Sequence, residues 1–216
     1  MSPEEASAFI RANTALAAPP LVPEITLHLA SELTPIWQAT EDSLAARNLP
    51  PPFWAFAWAG GQALARHVLD HPAIVAGRRV LDVGAGSGLV AIAAARAGAE
   101  AACAAEIDPV AAAAIALNAA GNGVRVAVET RDLIGSDGQW DTVLVGDLCY
   151  ERPLAERLTA WLRRLAAGGA AVLLGDPGRA YLPRSGLEEI ARYTVPTSRE
   201  LEDRDSREAV VWRMGP

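Results

Sequence analysis

The chain contains no lysine; all 19 of its basic residues are arginine. That excludes a lysine general base, a Schiff-base lysine and self-modification on lysine. Cysteine is almost as scarce, with Cys103 and Cys149 alone among 216 residues. Two thiols make neither a disulfide framework nor a structural zinc site, and they suit a reducing compartment. Positive charge is in deficit: 26 acidic residues against 19 basic leave a net charge of -7. Nucleic-acid enzymes usually carry a basic stripe, so nucleic acid is not an expected partner. An acidic surface is better matched to steering a basic one. Long apolar runs are also missing. The Ala-rich stretch from Leu89 to Ala120 is interrupted by Arg96, Glu100, Glu106 and Asp108, well short of the roughly 18 apolar residues of a membrane helix. Glu4 and Glu5 stand where a signal peptide would be basic, so a cytoplasmic protein with no membrane partner is expected. Low charge, at 21%, excludes a disordered chain, and 18 aperiodic glycines exclude a collagen-like one.

What is present is α/β alternation in a chain long enough for one domain. Residues 1–18 read as a short amphipathic helix, with Ser2, Pro3, Glu4 and Glu5 as its start signal. Seven prolines in residues 19–52 indicate an irregular arm or lid rather than core. Residues 1–52 are thus an N-terminal helix and arm, and 53–216 the main domain. PFWAFAW (52–58) runs into Gly60 and Gly61, and a helix is expected from about Gln62 to His71. Strands are expected at 79–86, 101–108, 124–129, 141–147 and 170–176, with helices at 89–98, 109–122, 154–169 and about 184–193. The segments TVPTSREL and REAVVWRM, flanking the polar turn EDRDS (202–206), read as a terminal antiparallel hairpin. Alternating strands and helices imply a mostly parallel sheet covered on both faces, and a closing hairpin narrows this to the seven-strand variant of the doubly wound fold.

In such sheets ligands sit at the carboxyl ends of the strands, where strand order reverses. The first strand of the main domain ends in Asp82-Val83-Gly84-Ala85-Gly86-Ser87-Gly88. The glycines let backbone approach a ligand closely. The dinucleotide register G-x-G-x-x-G fails, because Leu89 holds its last position. Asp82 would also repel a pyrophosphate but suits a cationic or amino-acid-like group. Glu106, at the end of the second strand, can accept from both ribose hydroxyls; Asp108 is better placed as a helix cap. Asp132 is placed to receive an adenine amino group or to serve as a loop turn. His67 and His71 are four apart, yet no third ligand is evident, so a solvated helix face is expected and no metal. Cys149 reads as a small buried residue.

VLDVGAGSG, AEID and RDL together resemble the S-adenosylmethionine motifs of seven-strand methyltransferases. Asp147 and Tyr150 form a D-x-x-Y pattern that resembles the signature of family-16 protein methyltransferases, which mostly modify lysines. The wider set, PFWAFAWAGGQALARHVLDHP, VLDVGAGSG, EIDP, GDLCYE and GDPGR, resembles the electron transfer flavoprotein β-subunit lysine methyltransferases and their bacterial relatives. Trp58-Ala59 departs from the Trp-Pro of those relatives. The resemblance implies methyl transfer from S-adenosylmethionine to lysines of that flavoprotein subunit; a monomer is expected. The candidate cofactor residues are Trp58, Asp82, Gly84, Gly86, Gly88, Glu106, Ile107, Asp132 and Asp147. Asp147 and Tyr150 are the candidate catalytic pair, and Tyr150, Glu151, Asp176 and Arg179 the substrate set. Arg179 is read as binding a partner carboxylate or holding Asp176. The Asn-Pro-Pro-Tyr run of amino-directed nucleic-acid methyltransferases is absent. Another protein (a ribosomal protein, for example), a small amine, or an inactive cofactor-fold interaction module are the competing readings.

Overall fold

The computed structural model describes residues 1–30, 51–197 and 204–215. Its main sheet has seven strands: β3 (Arg79–Val83), β4 (Ala101–Ala105), β5 (Ala127–Glu129), β6 (Thr142–Gly146), β7 (Ala171–Asp176), β8 (Leu187–Pro196) and β9 (Ser206–Met214). They lie in the order β5-β4-β3-β6-β7-β9-β8. The first five are parallel, and the β8–β9 hairpin joins antiparallel through β9. Strand order reverses at β3, which pairs with β4 on one side and β6 on the other. A cleft therefore opens at the carboxyl ends of β3, β4 and β6.

Each central strand feeds two cores because successive side chains point to opposite faces. Val80, Leu144 and Leu173 pack on one face with α2 (Ala59–Asp70) and α3 (Leu89–Arg96). Leu81, Val143 and Val172 pack on the other with Leu158, Trp161 and Leu162 of α5 (Arg152–Ala167). Burial on both faces is why these strands read as unbroken apolar runs. Between them in sequence, α4 (Pro109–Gly121) starts at Asp108, whose carboxylate accepts from Val110 N at 2.8 Å, as a cap.

The N-terminal helix α1 (Pro3–Asn13) opens with a Ser2–Glu5 capping box and packs Ile10 against Val110, Ala111 and Ala114 of α4. It stops five residues before the expected boundary, because the chain turns into β1 (Ala15–Ala17), which pairs with β2 (Leu27–Leu29). The arm also departs from expectation. Val22, Ile25 and Leu27 are fully buried in the core beneath α2 and α3. Asn118 of α4 and Asn122, which caps it, accept from the arm's amides at His28 and Thr26, so those two amides are satisfied by side chains. The rest of the proline-rich arm, residues 31–50, lies outside the described residues, as does part of the 202–206 turn.

The helix expected at 184–193 is instead the first part of β8. LEEIARY satisfies a helical period, but nine residues of β8 (Leu187–Pro196), six of them in that run, find partners on β9, with a bulge between Glu189 and Ala191. Pairing with the sheet overrides local propensity there.

Candidate active site

The site is built around a close approach of α2 to the ends of β6 and β7. A Cβ at Gly60 would stand 2.2 Å from the Gly175 carbonyl oxygen, and one at Gly175 would stand 2.1 Å from that of Gly60. Only a glycine pair allows this contact. It delivers the first turn of α2 to the end of β6, where Gly61 N donates to Asp147 Oδ2 at 2.8 Å. Asp147 has φ 57, the only positive value at a non-glycine among the described residues. Aspartate tolerates that region at modest cost. Its own amide donates to Gly175 O at 3.0 Å, which fixes the turn.

Arg179 occupies the other side of Asp147. Its Nε and Nη2 both donate to Oδ1, at 3.0 and 2.7 Å. The guanidinium also stands 5.5 Å over the Trp58 ring, a cation–π contact. Asp176 Oδ1 accepts from Gly178 N and Arg179 N, each at 2.7 Å, and so shapes the loop after β7. Burial pushes the Asp147 carboxyl up to about 6, against the opposing pull of Arg179 and the bonds it accepts.

A cavity of about 670 Å³ opens at the ends of β3, β4 and β6. Trp58, Gly84, Gly86, Glu106, Ile107, Asp132, Asp147, Tyr150 and Arg179 line it, nine candidates brought together from six separate motifs. A narrower one of about 50 Å³ holds Asp82 and Ser87 and shares Trp58, Gly84, Gly86, Gly146 and Asp147 with the first. Asp147 therefore stands where the two meet. Glu106 Oε2 accepts from Gly86 N at 2.9 Å and Oε1 from Asp108 N at 3.1 Å. A carboxylate accepts about four hydrogen bonds, so capacity remains for a diol. Asp82 is 2% exposed and accepts from Ala91 N in α3 at 2.9 Å; burial pushes it up to about 7. Asp132 Oδ1 takes Ile134 N, and Oδ2 pairs with Arg157 at 2.7 Å, which holds the carboxylate in place with lone pairs to spare. Burial also raises the Tyr150 hydroxyl, and the Phe53 ring lies 6.0 Å from its ring at the cavity mouth.

Four candidates sit elsewhere or act otherwise. Gly88 is absent from the wall of either cavity; its φ is +82 and a Cβ there would meet Ile115 at 3.1 Å, so it serves helix packing. Asp176 is buried in the loop it shapes rather than presented to a substrate. Glu151 is exposed just before α5, outside the cavity wall. Arg179 carries a contact that neither of its two expected roles included: its guanidinium grips Asp147. His67 is a further correction: it is buried, bonded to Tyr193 Oη at 3.2 Å and stacked on His71 at 4.4 Å, rather than solvated. No three-residue metal cluster occurs among the described residues. Cys149 is buried, as expected, and pushed up to about 12.

Sequence reasoning missed most of the apolar wall: Phe53, Trp54, Leu133, Ile134, Leu148 and Leu154. A signal existed for Leu133 and Leu148, which directly follow the candidate acids Asp132 and Asp147. None existed for Leu154, which comes to the cleft through the placement of α5.

The donor set fits S-adenosylmethionine in three respects. An acid with spare acceptor capacity ends β4, a buried carboxyl suited to an ammonium ends β3, and apolar walls suit a purine. The family model for ribosomal protein L11 methyltransferase (PrmA) matches residues 63–175. The magnesium protoporphyrin IX methyltransferase of Synechocystis, solved with S-adenosylmethionine bound, shares the fold at TM-score 0.56 and 17% identity, over 84% of this chain and 95% of that one. The electron transfer flavoprotein β-subunit lysine methyltransferase of Danio rerio is 38% identical over 220 residues, 98% of this chain and 84% of its own. That of Xenopus laevis is 38% identical over 215 residues, 96% of this chain and 86% of its own. With identity at that level over nearly its whole length, the chain belongs to the electron transfer flavoprotein β-subunit lysine methyltransferase family.

Proposed function

We propose that the chain uses S-adenosylmethionine to methylate lysine side chains of an electron transfer flavoprotein β subunit. The full-length similarity to enzymes named for that reaction carries the reading. The ribosomal-protein match supports only a shared cofactor-binding core, since it ends at residue 175. Within the reading, Glu106 would hold the ribose, Asp82 the amino group and Asp132 with Ile107 the adenine edge and face. When bound, S-adenosylmethionine supplies an electrophilic methyl on a sulfonium, and transfer forms an N–C bond as the S–C bond breaks.

This chain's own residues prepare the acceptor. A lysine with pKa near 10.4 must lose its proton first, at a cost of about 4.6 kcal/mol at pH 7. The mouth formed by Phe53, Tyr150 and Trp58 desolvates the amine, which lowers that cost. Asp147 and Tyr150 orient it, contributing proximity rather than proton transfer. Tyr150, 43% exposed at the mouth, is the first side chain an incoming lysine would pass.

The reading includes a monomer and a reducing cytoplasm, the latter suited to two free cysteines. It also takes residues 1–52 as a helix and arm preceding a single methyltransferase domain. The test is labelled methyl transfer into a lysate of the host cells, followed by mass spectrometry of labelled bands. Label on flavoprotein β-subunit lysines is expected; label confined to another protein would keep the chemistry and replace the substrate.

A further inference from the structure

The side chain that faces the reaction centre with Asp147 is a cation already in place. Arg179 is not loosely parked there. Asp176, buried at the end of β7, spends one carboxylate oxygen on the amides of Gly178 and Arg179, and Gly178 turns at φ +89. That turn aims the guanidinium back across the strand ends, where it donates twice to Asp147 Oδ1 and covers the Trp58 ring. We propose that Arg179 is a positioning residue that cancels the charge of Asp147, so that the site takes the target amine in its uncharged, nucleophilic form. The inference rests on the proposed amine acceptor and goes beyond it.

A bare buried carboxylate attracts an ammonium and holds it as an ion pair, which binds lysine well and suppresses its nucleophilicity. A carboxylate already neutralised by a fixed guanidinium offers no such gain, yet its remaining lone pair can still orient an N–H. The indole face that would otherwise hold an ammonium is covered by the same guanidinium. The other titratable groups around Asp147 are Asp176 at the end of β7, Glu106, Asp82, Asp108 and Asp132 across the two cavities, Cys149 and Tyr150 after β6, and the cations Arg131 and Arg157, which pair with Glu129 and Asp132. Among the described residues it is Arg179 whose guanidinium is bonded to the Asp147 carboxylate, so Arg179 is the cation that offsets it.

The experiment compares wild type, Arg179→Met and Arg179→Lys by two readouts. The first is a carbon-13 carboxyl titration of Asp147 in the ligand-free protein, assigned by Asp147→Asn. Arg179→Met should raise its midpoint by about one pH unit or more, with Arg179→Lys between. The second is the pH profile of kcat and KM on the protein substrate. Arg179→Met should move the alkaline rise of kcat upward by about one unit, recover activity at high pH, and leave KM unchanged or lower. An unchanged Asp147 midpoint, or a loss of kcat uniform across pH with raised KM, would overturn the inference. If Arg179→Met does not fold, Arg179→Lys carries the same two comparisons. Wild type that transfers no methyl to any protein would overturn the functional reading instead, and the carboxyl titration would still decide the role of Arg179.

Discussion

A carboxyl buried at the end of β3 ties the stability of the ligand-free protein to pH. Burial pushes Asp82 from 3.8 up to about 7. The folded chain therefore keeps a proton over a window in which the unfolded chain has released it. That stabilisation is complete below about pH 4 and is lost as pH rises through about 7. Asp147, Glu106 and Asp176 are raised by burial too and act in the same direction. Chemical denaturation at pH 5 and pH 8 should show a loss on the order of 2–3 kcal/mol traceable to Asp82, and Asp82→Asn should flatten most of it. At the cofactor wall, Glu106→Ala should weaken S-adenosylmethionine binding by about tenfold or more, read by calorimetry; unchanged affinity would remove Glu106 from that site. Asp147→Asn should reduce turnover more than it reduces cofactor affinity, because Asp147 meets the acceptor side. Equal losses would assign it to the cofactor alone.

At the scale of elements, the contact between α2 and the ends of β6 and β7 decides whether Asp147 is placed at all. Gly60→Ala drives a methyl into the Gly175 carbonyl and should cost about 1–3 kcal/mol of stability, with activity falling further as Gly61 N leaves Asp147. Gly61→Ala meets nothing within 4 Å and should leave the unfolding midpoint unchanged or raised. The sequence made β3, β6 and β7 legible because double-sided burial writes itself as an apolar run. β8 was illegible because LEEIARY suits either period, and β9, which decided the matter, is distant in sequence. Glu106 and the Asp108 cap were readable from local position. The grip of Arg179 on Asp147 was not, since it spans 32 residues between two loops that only the parallel sheet brings together.

For the whole molecule, the net charge of -7 is a statement about encounter rather than fold. A basic patch beside the target lysine should be steered to it, and kcat/KM should fall as ionic strength rises past about 0.1 M; a flat salt response would contradict steering. The absence of lysine in the chain also makes the assay clean, since no label can enter this protein on a lysine side chain. The most direct measurement is the intact mass and peptide map of purified flavoprotein after incubation with the protein and S-adenosylmethionine. The account predicts methyl additions on β-subunit lysines, lost with Asp147→Asn. A flavoprotein that stays unmodified, beside an enzyme that demonstrably binds the cofactor, would contradict it.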